Sequence, residues 1–265
     1  MTDINRYALI LEALSELKTE VIPGGAGPQT QLAPSLPSLS EVLSDFGPMP
    51  HEALFLGVAS DGLPVLLNLH DPVPGPILIP ADPGSGKSAF LQLIAAAVGK
   101  MHQPENVQFA VITNHPDEWN SLGNISNCVG VFKIGSQGAA DLILSVASWA
   151  HANRTIQQSV LLMIDGLDSM MGHNADMLQN LRWLFLRGPA RRAWPFISLN
   201  TQRVNDVLPW LDLFHTRIFG KINNPKTICM LDAEKGSPDS LDAGVQFTLR
   251  ERDHWLRFWL PTLAE

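Results

Sequence analysis

The stretch 78-LIPADPGSGKSAFLQL-93 decides the fold. An apolar run passes into a Gly-rich turn carrying a lysine, and an amphipathic helix pattern follows. The turn 81-ADPGSGKS-88 fits the pattern G-x-x-x-x-G-K-[ST], with Ala81 in place of the first glycine. That first position only leads the chain out of the strand, so alanine is a mild departure. Backbone N–H groups of residues 84–88 are expected to curl round a β-phosphate, with Gly84 and Gly86 allowing the backbone angles and the close approach. The helix that follows points its positive end at the same place. Lys87 would neutralise β/γ oxygens and Ser88 would ligate Mg²⁺. The expected nucleotide-binding loop is therefore Asp82, Pro83, Gly84, Ser85, Gly86, Lys87, Ser88 and Ala89. An ordinary Gly-rich strand–helix turn is the alternative reading of the same letters.

A second stretch, 159-SVLLMIDGLDSM-170, supplies the partner. Its apolar run reads as a buried strand ending in Asp165. A carboxylate at the C-terminal tip of a parallel strand faces the crevice where nucleotides sit, and there it holds Mg²⁺. Many ATPases of this type place a glutamate next, to polarise the attacking water. Here the next residue is Gly166. Asp168 is the candidate substitute; its other reading is a helix cap. In a third stretch, 195-PFISLNTQRVNDVL-208, the strand ends in Asn200, Thr201 and Gln202. Gln202 is placed to bond a γ-phosphate or its water, against the reading of a plain polar loop.

Around these motifs the chain alternates strands and helices. Strands are expected at 77–80, 107–113, 131–133, 159–164, 195–200 and 216–222. Helices are expected near 39–45, 87–99, 137–152, 174–187, 204–211 and 225–231. Two short strands are expected within 53–69 around Ser60-Asp61-Gly62, and a closing hairpin at 245–250 and 254–260. The mostly apolar strands argue for an α/β fold with a mainly parallel sheet covered by helices on both faces. With the two nucleotide motifs this is a P-loop NTPase, and the resemblance given below implies the RecA-like type. Upstream, residues 1–21 read as an amphipathic helix and 22–38 as a Pro/Gly/Ser-rich linker, leaving 39–265 as the ATPase domain. The helix is a candidate docking arm for a protein partner.

Net charge is −8, so no global positive field draws the chain to nucleic acid. Any such contact would come from a local patch or a pore built by several subunits. The densest patch is 187-RGPARR-192, with Arg182 nearby; pore contact and a solvated turn or subunit contact both fit it. Trp183, Phe185 and Trp194 beside it are expected to pack in the core. No apolar run reaches the ~20 residues of a membrane span, and the first residues lack a signal-peptide pattern. Cys128 and Cys229 are expected to be buried free thiols in a reducing cytoplasm.

The order of motifs resembles the FtsK/HerA group of P-loop ATPases over roughly residues 53–260. That group includes DNA-pumping motors and type VII secretion ATPases. The run "LGVASDGLPVLLNL" is similar to the family's lead-in, "SLNTQRVNDVL" to its Thr-Gln-Arg signature and "LFHTRIFGKI" to its Pro-Thr-Arg-Ile segment, with His215 for Pro. The stretch "LDAEKGSPDSLDAGVQFTL" is similar to its Ala-Glu-Lys ending. The resemblance implies ATP and Mg²⁺ as cofactors, Lys87, Ser88 and Asp165 in phosphate and metal roles, and Gln202 as sensor. It also implies Arg217 as an arginine finger acting on the neighbouring subunit of a homo-hexamer, against the reading of a surface ion pair. Translocation of double-stranded DNA is the activity it suggests. A nucleotide-held scaffold with little hydrolysis and a protein-secretion ATPase remain the alternatives.

Overall fold

The computed structural model describes residues 36–153, 157–172 and 174–263. The expected helix at 1–21 and the linker up to residue 35 lie outside the described residues. The body Leu36–Glu265 is one compact unit. It begins with α1 (Leu39–Phe46), β1 (Ala53–Ala59), β2 (Pro64–Asn68), β3 (Ile77–Ala81), α2 (Lys87–Met101) and β4 (Val107–Thr113). Next come α3 (Asn120–Gly123), β5 (Cys128–Lys133), α4 (Gln137–Ala152), β6 (Ser159–Asp165), α5 (Leu167–Met170), α6 (Ala175–Arg187) and β7 (Ala193–Asn200). A 3-10 helical segment, Thr201–Leu213, leads to β8 (Thr216–Phe219), α7 (Pro225–Met230), β9 (Gln246–Glu251) and β10 (His254–Trp259).

The strands form one sheet in the order β2-β1-β10-β9-β8-β3-β7-β6-β4-β5. From β8 to β5 every pairing is parallel; from β8 to β2 every pairing is antiparallel. The expected RecA-like α/β architecture with a C-terminal hairpin is therefore present. Alternation along the strands sends side chains to two cores. Ile77, Ile79, Phe109 and Val111 pack with α1 and α2 on one face. Leu78, Ala110, Ile112, Leu162 and Ile164 pack with α4, α6 and the 3-10 segment on the other. Both faces of β3 and β6 are thus dry, which accounts for their unbroken apolar runs. Among the described residues no helix is long and apolar enough to cross a membrane.

Three local expectations change. The helix expected near 204–211 is 3-10 over Thr201–Leu213, broken at Arg203 (φ −112°, ψ 20°), with Pro209 inside. Proline has no N–H to continue a regular helix, so the tighter, irregular form results. The strand expected at 216–222 stops at Phe219. Gly220 lies so close to Ala81 and Phe247 that a Cβ there would meet them at 2.9 and 3.1 Å, and the next residues turn aside to bond the phosphate loop. Both cysteines are free, but Cys128 is half-buried and Cys229 is exposed on α7, so the expectation of two buried thiols fails. Apolar sequence neighbours did not reveal which side of so short a helix faces solvent.

Candidate nucleotide-binding site

The phosphate loop leaves β3 at Ala81 and ends at Gly86, the N-cap of α2, whose left-handed backbone (φ 82°) aims the helix start back over the loop. Gly84 is also left-handed (φ 75°), and a Cβ there would project into open space. At Gly86 the reason for glycine is different: a Cβ would sit 2.5 Å from the Cα of Gly244. The segment before β9 therefore lies against the loop, and sequence reading gave no sign of it. Lys221 Nζ donates to Leu241 O at 3.1 Å and helps hold that segment.

Inside this cradle Lys87 Nζ donates to the carbonyls of Ala81 (3.0 Å) and Asp82 (2.9 Å). Burial pulls the Lys87 pKa below its ordinary value, and the nearby carboxylates of Asp165, Asp168 and Asp82 push the other way. Ser88 Oγ donates to Asp165 Oδ2 at 2.6 Å, while Ser198 Oγ donates to Asp165 Oδ1 at 2.7 Å. Strand order explains the second contact. β7 lies between β3 and β6, with Ala81 paired to Asn200 and Asp165 to Ser198. Ser198 was not singled out from the sequence, because only the strand register brings it to Asp165.

The donors fit magnesium-bound nucleotide. A hydroxyl and a carboxylate meet beside a lysine at a helix N-terminus, and Mg²⁺ commonly takes one or two protein oxygens and completes its shell with phosphate and water. Among the described residues no cluster of three or more His, Cys, Asp or Glu could hold a metal by itself.

Gly166 has φ 117° and caps α5, a conformation that strains any residue with a side chain. A Cβ at Gly166 would meet nothing closer than 3.5 Å, so backbone angle rather than space disfavours a glutamate there. Asp168 is the second residue of α5 and does not cap it. It is 4% exposed, its Oδ1 accepts the Asn200 N–H at 3.2 Å, and Arg203 approaches Oδ2 at 3.7 Å. Gln202 is exposed at the start of the 3-10 segment, its N–H donating to Asn200 Oδ1 at 3.1 Å.

Arg217 stands apart from this group. It pairs with Leu78 near the start of β3, away from the phosphate loop at that strand's other end. Its guanidinium donates to the carbonyls of Phe214 (3.2 Å), Leu231 (2.9 Å) and Leu211 (3.0 Å). Burial, with Arg250 nearby, lowers its pKa. Arg217, Arg250 and Arg252 line a cavity of about 620 Å³ together with Asp212 and His215. The basic stretch 187–192 precedes β7 and so also lies at the sheet end opposite the loop. There Arg191 donates to Asn153 O at 3.3 Å, and Trp194 and Phe185 are core residues as expected.

No protein-family model and no curated protein matches this chain. Solved structures do. The cytoplasmic domain of the type VII secretion ATPase EccC of Thermomonospora curvata superposes with TM-score 0.66 at 13% identity, covering 86% of this chain and 32% of that one. The pCW3 conjugation coupling protein TcpA, solved with ATPγS, gives TM-score 0.68 at 13% identity, covering 92% of this chain and 77% of that one. The fold is that of the FtsK/HerA-type P-loop ATPases. B204, the DNA-packaging ATPase of Sulfolobus turreted icosahedral virus, gives TM-score 0.52 at 11% identity over 71% of this chain and 98% of its own. This chain spans about a third of the EccC domain and most of TcpA. Across these FtsK/HerA-type structures the likeness is one of fold, at identities of 11–13%.

Proposed function

We propose that this chain binds ATP with Mg²⁺ at residues 82–89 and Asp165, and hydrolyses it within a homo-hexameric ring that moves double-stranded DNA in the cytoplasm. The observation that carries the reading is the Ser88–Asp165 contact of 2.6 Å beside the Lys87 ammonium. When bound, magnesium ATP supplies the triphosphate to be cleaved and a cation that draws charge from its oxygens. In this chain Lys87 would exchange its carbonyl partners for phosphate oxygens, and Ser88 and Asp165 would hold the metal directly or through water. The likeness to conjugation and packaging ATPases supports DNA as the polymer. The likeness to EccC supports a secretion substrate instead, which becomes one outcome of the test.

Asp168 remains the proposed carboxylate for activating water, Gln202 the γ-phosphate sensor and Arg217 the group that acts on a neighbour. A second reading, a nucleotide-held scaffold with weak hydrolysis, is favoured by the glycine-only backbone at Gly166 and by the engaged oxygens of Asp168. Titration of ATPγS with Mg²⁺, followed by single-turnover hydrolysis in wild type and Asp168→Asn, decides between them. The motor reading expects saturable magnesium-dependent binding and a cleavage rate reduced by about 10²–10⁴-fold in Asp168→Asn, as for loss of a general base. Equal cleavage rates in both proteins would remove Asp168 from the chemistry, and binding without cleavage would favour the scaffold.

A further inference from the structure

Asp82 is a carboxylate set inside a loop whose task is to receive phosphates, and its placement needs a reason. Like charge there opposes anion binding, so the carboxylate is placed for the partners it holds. Asp82 Oδ1 accepts the Thr201 hydroxyl, and Oδ2 accepts both the main-chain N–H and the side-chain amide of Asn223 at 2.8 and 2.9 Å. The Asp82 N–H donates to Lys221 O at 2.9 Å, closing the same junction from the backbone. These partners open two different segments. Thr201 begins the 3-10 segment that ends at Leu213. Asn223 immediately precedes Asn224, the N-cap of α7. The far ends of both segments meet again at one side chain: Arg217 takes Leu211 O and Phe214 O from the first and Leu231 O from the second.

We infer that Asp82 is a positioning residue that ties the phosphate loop to the exits of β7 and β8, and through these two segments to the carbonyl cradle of Arg217. The inference rests on the nucleotide-binding reading of the loop. Occupancy of the loop moves the Asp82 backbone, because Lys87 releases its carbonyl when it turns to phosphate. The carboxylate passes that displacement to Thr201 and Asn223 together. Two helical segments held at both ends then respond as a pair, and the Arg217 cradle, with the cavity it shares with Arg250 and Arg252, is where they converge. The oxygens divide the labour, so the two arms can be cut separately. Thr201→Val removes only the hydroxyl. Asn223→Asp replaces the amide donor with a carboxylate that repels Asp82 Oδ2.

The test is peptide-resolved hydrogen exchange of the full chain with and without ATPγS and Mg²⁺, reading 86–101, 201–213 and 224–231. In wild type all three are expected to slow on binding, the latter two by about fivefold, the lower end of ordinary coupling between sites. Thr201→Val should keep the response of 86–101 and 224–231 and lose that of 201–213, and Thr201→Ser should restore it. Asn223→Asp should keep the responses of 86–101 and 201–213 and lose that of 224–231. Wild-type responses at 201–213 in Thr201→Val, or at 224–231 in Asn223→Asp, overturn the inference. So does a wild-type response confined to 86–101. Absence of any response at 86–101 in wild type would instead strike the nucleotide-binding reading. If Asn223→Asp does not fold, Thr201→Val, which leaves the phosphate loop intact, decides alone.

Discussion

Lys87, Ser88 and Asp165 sit where charge and geometry both count, and single substitutions there have separable effects. Lys87→Ala removes a charge-assisted donor, so the nucleotide is expected to bind more weakly by about 1.5–3 kcal/mol, roughly 10- to 150-fold in Kd by titration. Gly86→Ala adds a methyl 2.5 Å from Gly244 Cα at a residue with φ 82°. It should lower both the melting temperature and the affinity, whereas Gly84→Ala, with open space, is expected to suffer the backbone strain alone. His102 contributes a pH dependence. It is buried, its Nε2 lies 3.0 Å from Ala53 O, and burial holds its pKa below the ordinary 6.5. A depressed histidine favours the neutral folded form, so its contribution is complete above 6.5 and is lost as pH falls through the lower folded value. The unfolding midpoint should fall on acidification below 6.5, and less steeply in His102→Gln.

At the scale of elements, the loop is held by what lies under it. Phe90, one turn into α2, meets the rings of Phe247 on β9 (4.9 Å) and Phe258 on β10 (5.9 Å), with no exposure of its own. Phe90→Ala is expected to cost about 3–5 kcal/mol in chemical denaturation, through lost burial and the cavity left behind. The strand–loop–helix unit at 77–101 and the strand ending at Asp165 were legible in the sequence because short covalent spacing fixes their chemistry. The dry strands were legible too, since burial on both faces leaves unbroken apolar runs. Asp82's partners were not: Thr201 and Asn223 lie 119 and 141 residues away and arrive only through the parallel order of β3, β7 and β8. Gly244 escaped for the same reason. The 3-10 form of Thr201–Leu213 was hidden because its apolar spacing imitates a helix and Pro209 alone signals the tighter winding.

For the whole molecule, the sheet separates two ends. The loop, Asp165, Asp168 and the Thr201–Gln202 turn gather at one end, while Arg217, Arg250 and Arg252 line a cavity apart from them. An arginine already bonded to three carbonyls is part of its own subunit's fabric. Arg217→Ala is therefore expected to lower the stability of the isolated subunit by at least about 1.5–3 kcal/mol, the worth of one hydrogen bond to a charged group, besides any effect on assembly. Unchanged stability with loss of assembly would make it a purely intersubunit residue. As proposed, the loop serves an engine rather than a clasp. The direct measurement is steady-state ATP turnover with Mg²⁺, in wild type and Lys87→Ala, with and without linear duplex DNA. Turnover in wild type, several-fold stimulation by DNA, and loss of both in Lys87→Ala are expected. Saturable binding with no turnover under either condition would contradict that proposal.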